Sequence, residues 1–165
     1  TEAPVCLGCH KEQRADFRRE YLGFVFQSFH LVAYLTVIEN VMLPLTVTRR
    51  AAKEKRAMAL AALSQVGLAD KADRLPGEIS GGEKERVAVA RAIVNEPPVL
   101  LADEPTGNLD SRNSREIMNM FQRLNATGMT IIMVTHSPEC AGYARRILQM
   151  SDGRLVGDGA PADKN

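Results

Sequence analysis

Two continuous runs of apolar residues in the second half of the chain constrain its fold more than any other feature. The runs are PPVLLADEP and MTIIMVTH, and each has the length and composition of one strand that is buried on both faces. The segment between them places four large apolar side chains on one face of a helix, namely Ile117, Met120, Phe121 and Leu124. A strand, a helix and a second strand in this order predict a βαβ crossover, and therefore an α/β fold with a parallel sheet.

The remainder of the chain predicts a helical middle between two regions that contain strands. YLGFVF is predicted to be a strand because it combines aromatic and β-branched residues. LTVIENVMLPL and RRAAKEKRAMALAALSQVG are predicted to be helices, and Asp152-Gly153 predicts a hairpin turn. The 165 residues suffice for one domain, and a net charge of +1 gives no indication of nucleic-acid binding. No apolar run reaches the roughly 20 residues that span a bilayer.

Three polar side chains follow the two apolar runs. Asp103 and Glu104 end the first run, and His136 closes the second. One strand–helix–strand unit fits the spacing, so these side chains are expected at one edge of the sheet, where open parallel sheets bind ligands. Paired carboxylates there suit Mg²⁺ held through water, together with a group that positions a water molecule. The alternative is that the carboxylates are solvated turn residues and that the histidine is a polar strand cap.

The segment ISGGEKERVAVARAIV predicts a helix that begins after Ser80. Ser80 and Glu83 have the spacing of a capping box, which by itself would give the segment a purely structural role. The same geometry also forms an anion site, because a hydroxyl, two glycines and the positive end of a helix dipole favour a phosphate. Gln27, which follows the first predicted strand, is a weaker candidate for contact with a metal-bound water or with a partner protein.

A different kind of site is suggested by Cys6, Cys9 and His10, which have the C-x-x-C-H spacing of c-type haem attachment. A zinc site formed by Cys6 and Cys9 with His136 and Cys140 is a further alternative. The first twenty residues contain no apolar core of a secretory signal, which favours reduced thiols. We therefore expect the motif to be incidental, with two small thiols preceding a helix.

As a set, these segments resemble the ATPase subunits of ATP-binding-cassette (ABC) transporters, and they occur in that family's order. Gln27 matches the Q-loop, ISGGE the signature, VLLADE the Walker B strand, PTGNLD the D-loop and His136 the switch histidine. Ile79 and Glu83 stand where the signature usually has Leu and Gln. The resemblance covers about Phe17–Gly157, and within the family it looks closest to the ATPases of lipoprotein-releasing and macrolide-exporting transporters.

The resemblance implies the P-loop NTPase fold of ABC ATPases, which combines a parallel core sheet with a helical subdomain. It also implies MgATP as the substrate. Asp103 would hold Mg²⁺ through water, and Glu104 would polarise the attacking water. His136 would contact the γ-phosphate of ATP. Gln27 would sense Mg²⁺ or the attacking water and would couple the site to a transmembrane permease subunit.

Other residues are implied to act on a second ATPase subunit, in a homodimer or heterodimer that forms when ATP binds. Ser80, Gly81 and Gly82 would cap the γ-phosphate of an ATP held by that subunit. Glu83 belongs to the same signature segment and is expected to contribute to this nucleotide site. Asp110 would help to link the two sites across the dimer.

One part of such an ATPase, the Walker A motif G-x-x-x-x-G-K-[ST], has no match in the sequence. The nearest string begins at Gly77 and has Glu83 where the Lys is required. Because that loop and its Lys form the phosphate cradle, we expect an N-terminally truncated subunit. The expected parts are a lead-in and Q-loop strand in 1–26, the Q-loop, helical subdomain and signature in 27–95, and a RecA-like core with Walker B, D-loop and switch histidine in 96–165.

Three functions follow as alternatives. The first is an ATPase subunit at the cytoplasmic face of the cell membrane, which couples MgATP hydrolysis to export or release of a lipoprotein or hydrophobic molecule. The second is an inactive module that supplies only its signature to a partner. The third is a haem protein based on Cys6, Cys9 and His10.

Overall fold

The computed structural model describes residues 10–161 of the chain. The helices are α1 (Lys11–Tyr21), α2 (Val37–Met42), α3 (Ala52–Gln65), α4 (Gly81–Ile93), α5 (Ser111–Ala126) and α6 (Pro138–Ala141). The strands are β1 (Leu22–Phe26), β2 (Val99–Asp103), β3 (Thr130–Val134), β4 (Ile147–Ser151) and β5 (Arg154–Gly159). Short 3₁₀ turns lie at Leu43–Leu45, Ala69–Lys71 and Pro76–Glu78.

Strands β1, β2 and β3 form a parallel sheet in that spatial order. Helix α5 connects β2 to β3, and its four predicted apolar residues are all buried. The βαβ crossover and the α/β fold are therefore confirmed. Helix α4 packs closely on β1, since a Cβ added to Gly23 would stand 2.5 Å from the carbonyl oxygen of Ala92. A glycine in β1 thus permits this close approach of helix and strand.

Strand β3 departs from the expectation that both apolar runs are buried on both faces. Its residues alternate between exposed and half-buried, and the side chains of Ile132 and Val134 are 54% and 60% exposed. The physical reason is its position, because β3 is the outer strand of the described sheet and pairs with β2 on one side. The prediction of complete burial was therefore wrong for β3.

The helical middle of the chain packs α2, α3 and α4 against one another. Helix α2 begins at a capping box, in which the Thr36 hydroxyl accepts from the Glu39 N–H and the Glu39 carboxylate accepts from the Thr36 N–H. The large apolar side chains that are fully buried in this region are Val37, Ile38, Val41, Leu45, Leu63, Leu68, Val87 and Val89. They join the apolar faces of β1, β2 and α5 in one core, so the sheet and the helical middle stabilise each other.

Strands β4 and β5 form the predicted antiparallel hairpin. Asp152 and Gly153 have φ values of 50° and 72°, which suits a tight turn between antiparallel strands. Four large apolar side chains of the hairpin are exposed, namely Leu148, Met150, Leu155 and Val156. No helix between residues 10 and 161 is both long enough and apolar enough to cross a membrane.

Candidate functional site

The register of the parallel sheet brings its polar strand ends to one edge. The aligned positions at that edge are Phe26 in β1, Asp103 in β2 and Val134 in β3. Gln27 and Glu104 follow directly, and His136 follows two residues after its strand. The prediction that Glu104 and His136 emerge at the same edge is therefore confirmed.

Glu104 has the most constrained geometry at this edge. Its backbone φ is 46°, a left-handed value that is uncommon for a residue with a side chain, and its N–H donates to the Val134 carbonyl at 2.9 Å. Its Oε1 accepts from the His136 N–H at 2.7 Å, and its Oε2 accepts from the Thr135 hydroxyl at 3.2 Å. The side chain is 20% exposed, so the carboxylate is fixed by the two residues that follow β3 while one side still meets solvent.

Asp103 and His136 present their side chains to solvent beside this carboxylate. The His136 side chain is 98% exposed, and its Nε2 lies 3.8 Å from Glu104 Oε1. The backbone of His136 therefore positions Glu104, whereas the ring is free to meet a ligand. Asp103 is exposed at the end of β2. Thr135 was not predicted as a site residue, although its hydroxyl directly after an apolar strand was a usable signal.

Gln27 is held at the edge by the loop that follows Glu104. The Asn108 side chain donates a hydrogen bond to the Gln27 carbonyl oxygen at 2.9 Å. A Cβ added to Gly107 would lie 2.9 Å from Gln27 Nε2, so the glycine lets the amide approach the loop. This contact joins segments that are 81 residues apart and was not predictable from local patterns.

The signature segment (residues 79–83) lies at the beginning of α4. Ser80 is the N-cap residue, and its hydroxyl accepts from the Glu83 N–H at 3.3 Å. The Glu83 carboxylate accepts from the Ser80 N–H at 2.8 Å, which confirms the capping box. A Cβ added to Gly81 would meet no described atom within 4 Å, so packing in this part of the chain does not require a glycine there.

Gly82, in contrast, packs against the beginning of α5. A Cβ at Gly82 would stand 2.1 Å from Asn113 Oδ1. The Asn113 side chain and N–H both donate to the Asp110 carboxylate at 2.8 Å. These bonds lower the pKa of Asp110, with the backbone bond from Asn113 as the largest cause. Asn113 thus connects the signature segment with the D-loop of the same chain.

The segment that follows Gln27 is fixed by two side chains of the helical middle. Arg91 of α4 donates to the carbonyl oxygens of Phe29 and His30, at 2.7 and 2.6 Å. Asn40 of α2 is fully buried; its Oδ1 accepts from the Val32 N–H at 2.7 Å, and its amide donates to nearby carbonyl oxygens. Helix α4 therefore carries the signature at one end and holds the Q-loop backbone near the other.

The predicted site residues consequently form two groups. The first group lies at the sheet edge and comprises Gln27, Asp103, Glu104 and His136. The second lies at the beginnings of α4 and α5 and comprises Ser80, Gly81, Gly82, Glu83 and Asp110. The chain segment 104–113 connects the two groups, since Asn108 contacts Gln27 and Asn113 contacts Gly82.

The alternative metal and haem sites rest on residues that are only partly described. Cys6 and Cys9 lie outside the described residues, and His10 is the N-cap residue of α1. Cys140 is buried, and its Sγ lies 3.2 Å from the Thr106 hydroxyl. Between residues 10 and 161, no group of three or more His, Cys, Asp or Glu residues could hold a metal ion. A Mg²⁺ brought by a nucleotide needs fewer protein ligands, because phosphates and waters supply the rest.

Comparison with known proteins identifies the family. The family model described as "ABC transporter" matches residues 8–107. The ABC transporter ATP-binding protein YvrO of Bacillus subtilis is 49% identical over 144 residues, which are 87% of this chain and 63% of that protein. The macrolide export ATP-binding/permease protein MacB of Burkholderia pseudomallei is 46% identical over 147 residues. They are 89% of this chain and 22% of MacB, so the chain spans about a fifth of that relative.

A solved structure agrees with these sequence relatives. The dimeric post-hydrolysis state of the ATP-binding cassette MJ0796, bound to ADP and Pi, superposes with a TM-score of 0.81 at 36% identity. The match covers 95% of this chain and 70% of that chain. The sheet, the helical middle and the motif order therefore have one explanation: the chain belongs to the ABC transporter family and has the fold of its ATP-binding cassettes.

Proposed function

We propose that this chain is part of the ATP-binding subunit of an ABC transporter and that it contributes the hydrolytic half of an MgATP site. The observation that carries this proposal is the fixed Glu104 carboxylate, which accepts from Thr135 and from the His136 backbone at the ligand-binding edge of the sheet. Family membership supports ATP as the nucleotide.

In this proposal each residue at the sheet edge has a different role in ATP hydrolysis. MgATP enters as substrate, with Asp103 and Gln27 contacting Mg²⁺ through water. Glu104 orients a water molecule toward the γ-phosphate and accepts its proton, because its two hydrogen bonds fix one face and leave the other to solvent. The exposed His136 ring donates to the γ-phosphate oxygens, on which negative charge is spread in the transition state.

The signature group acts on a second ATPase subunit in the same proposal. Ser80 and the N–H groups at the beginning of α4 cap the γ-phosphate of an ATP held by that subunit. The open space around Gly81 supports this role, since nothing within 4 Å in the described chain requires a glycine there. Asn113, which donates hydrogen bonds to Asp110, lies against Gly82 and so connects the signature with the D-loop.

Coupling to a membrane partner is proposed for the surface beside Gln27. A groove of about 550 Å³ lies between β1 and the helical middle. Phe24, Phe26 and Leu43 are among its apolar lining residues, and Arg18 and Arg19 also line it. We propose that a cytoplasmic segment of a permease with apolar and acidic side chains docks here, on the inner face of the cell membrane.

The transported substrate is proposed from the relatives. MacB is described as a macrolide export protein, and this supports export or release of a hydrophobic molecule or a lipoprotein. A second function class, donation of the signature alone, is supported by the open space around Gly81 and by the capping box that fixes Ser80. In that case the chain completes a partner's ATP site and does not hydrolyse ATP at its own.

The two classes are separated by supplying the phosphate cradle in two ways. In the first, a Walker A segment from an ABC ATPase is fused ahead of the full chain, which gives a protein that we call the Walker A chimera. In the second, the unfused chain is mixed with an ABC ATPase subunit whose own signature serine is replaced. ATP hydrolysis by the chimera that depends on Glu104 supports the subunit function. Stimulation only in the mixture supports signature donation, and no hydrolysis in either contradicts both.

A further inference from the structure

The signature segment carries a carboxylate whose charge is balanced from another element of the fold. Glu83 Oε2 caps the Ser80 N–H at 2.8 Å, and Glu83 Oε1 forms an ion pair with the ammonium of Lys71. Lys71 ends the 3₁₀ turn Ala69–Lys71, which follows α3. The Glu83 side chain is only 15% exposed and that of Lys71 37%, so the pair is partly shielded from water.

This ion pair stands at the place where the proposed function, on which the following inference rests, requires a phosphate to bind. The N–H groups and the positive dipole end at the beginning of α4 attract an anion. A full negative charge on the third residue of the same helix opposes that attraction. The pKa of Glu83 is lowered to about 2, and the carboxylate is therefore ionised at neutral pH. The hydrogen bond with Lys71 is the largest cause of this shift, and the hydrogen bond from the Ser80 backbone is the second.

We propose that Lys71 is a positioning residue of the signature, which neutralises Glu83 so that the beginning of α4 can accept the γ-phosphate of an ATP held by a second subunit. Glu83 then supplies the cap that fixes Ser80 without repelling the nucleotide. The ion pair also holds the Glu83 side chain toward the 3₁₀ turn. A glutamine at position 83 could keep the cap without adding charge, which makes the role of Lys71 separable from the capping box.

The test measures ATP hydrolysis by the Walker A chimera as a function of ATP concentration. Lys71→Met should raise the KM for ATP about tenfold, which corresponds to about 1.4 kcal/mol, while kcat changes much less. The double variant Lys71→Met, Glu83→Gln should return KM to within about twofold of the unsubstituted chimera, because it removes the unbalanced charge. Added salt should lower the KM of Lys71→Met by screening the repulsion.

Lys53→Met is the matched control, because it removes the same charge from an exposed position of α3. It should leave KM unchanged. If Lys71→Met leaves the KM of an active chimera unchanged, the inference is overturned while the proposed function stands. The same holds if adding Glu83→Gln to Lys71→Met does not restore KM. A merely structural role of Lys71 would not be rescued by removing a charge. If only the mixture with a second ABC ATPase subunit hydrolyses ATP, the same variants are compared in that mixture. If neither the chimera nor the mixture hydrolyses ATP, the proposed function is overturned and this inference with it. Circular dichroism of each variant verifies that the chimeras are folded.

Discussion

The carboxylate of Glu104 is bound to the backbone of His136, whose N–H donates to Glu104 Oε1 at 2.7 Å. The ring of the same histidine is 98% exposed. One residue therefore has two separable parts: its main chain fixes the carboxylate, and its side chain remains available to a ligand. Any substitution of His136 other than proline retains the backbone donor, so the role of the ring can be examined while Glu104 stays in place.

The first prediction concerns Glu104→Gln in the Walker A chimera. The amide keeps the size of the side chain but removes the charge that accepts a proton from water, so turnover should fall by about 10²–10⁴-fold. ATP binding should persist, because the phosphates are held elsewhere. Steady-state hydrolysis and nucleotide binding by calorimetry measure the two effects. Glu139→Gln, at an exposed position of α6, is the control and should leave turnover unchanged.

The second prediction separates the two signature glycines. Gly82→Ala should destabilise the chain by about 1–3 kcal/mol, because the new Cβ would overlap Asn113 Oδ1 and displace it from Asp110. Gly81→Ala should change stability by no more than about 1 kcal/mol, since its Cβ meets open space. Gly81→Ala should nevertheless impair hydrolysis by the chimera. Equal stability losses in urea unfolding of the two variants would contradict this assignment.

The third prediction concerns the clamp between Arg91 and the segment after Gln27. Arg91→Met removes two hydrogen bonds from a charged donor to the carbonyl oxygens of Phe29 and His30, and should cost about 2–4 kcal/mol of unfolding free energy. Arg91→Lys should recover only part of it, because an ammonium cannot reproduce the planar fork. Urea unfolding measures both variants. If Arg91→Met is as stable as the unsubstituted chain, the clamp does not stabilise the fold.

Local sequence patterns predicted the features that depend on neighbours along the chain. The apolar runs predicted β2 and β3, and the spacing of Ser80 and Glu83 predicted the capping box. The crossover rule placed Glu104 and His136 at one edge, because parallel strands end at the same side of a sheet. These inferences succeeded because each rests on the spacing of residues along the chain or on the shared direction of parallel strands. Neither depends on how the helices pack.

Long-range contacts could not be predicted in this way. Arg91 reaches carbonyl groups 61 and 62 residues earlier, and Gly82 meets Asn113 of another helix. Such contacts depend on how helices pack, which apolar spacing does not specify. The burial of single side chains also does not follow from residue type, since Val134 is exposed at the outer strand while Glu85 is 1% exposed. A charged residue within a helix usually occupies a solvent-exposed position. Only the tertiary packing shows that Glu85 is buried.

Glu85 gives the fourth prediction, which concerns the dependence of stability on pH. Both of its carboxylate oxygens are buried without a hydrogen-bond partner in the described structure. Burial raises the pKa of Glu85 from its ordinary 4.5 to about 8, although Arg91 opposes the shift. The folded chain therefore keeps a proton that the unfolded chain releases above about pH 4.5. The free energy of unfolding should fall between about pH 4.5 and 8, by up to about 1.4 kcal/mol per pH unit.

Glu85→Gln should flatten this decline, because the amide does not titrate. The lowered pKa of Glu83 does not interfere, since its stabilising contribution is complete above about pH 4.5 and is lost only at lower pH. Urea unfolding at pH 5 and pH 8 measures the difference. Glu139→Gln, exposed on α6, should retain the slope of the unsubstituted chain. An identical slope in Glu85→Gln would contradict the burial of a neutral carboxyl at this position.

The fifth prediction concerns the outer strand of the sheet. Strand β3 exposes the apolar side chains of Ile132 and Val134, and its outer backbone groups form an edge at which another strand can pair. The chain by itself should therefore self-associate as its concentration rises. Ile132→Thr, Val134→Thr should reduce this association, because threonine keeps the β-branched shape that suits a strand while lowering its apolar area. Sedimentation velocity at several concentrations measures the effect.

Leu60→Thr, a half-buried position of α3 away from the sheet, is the control and should not reduce association. A chain that stays monomeric and unfolds in a single cooperative transition would show that the exposed edge of β3 is tolerated.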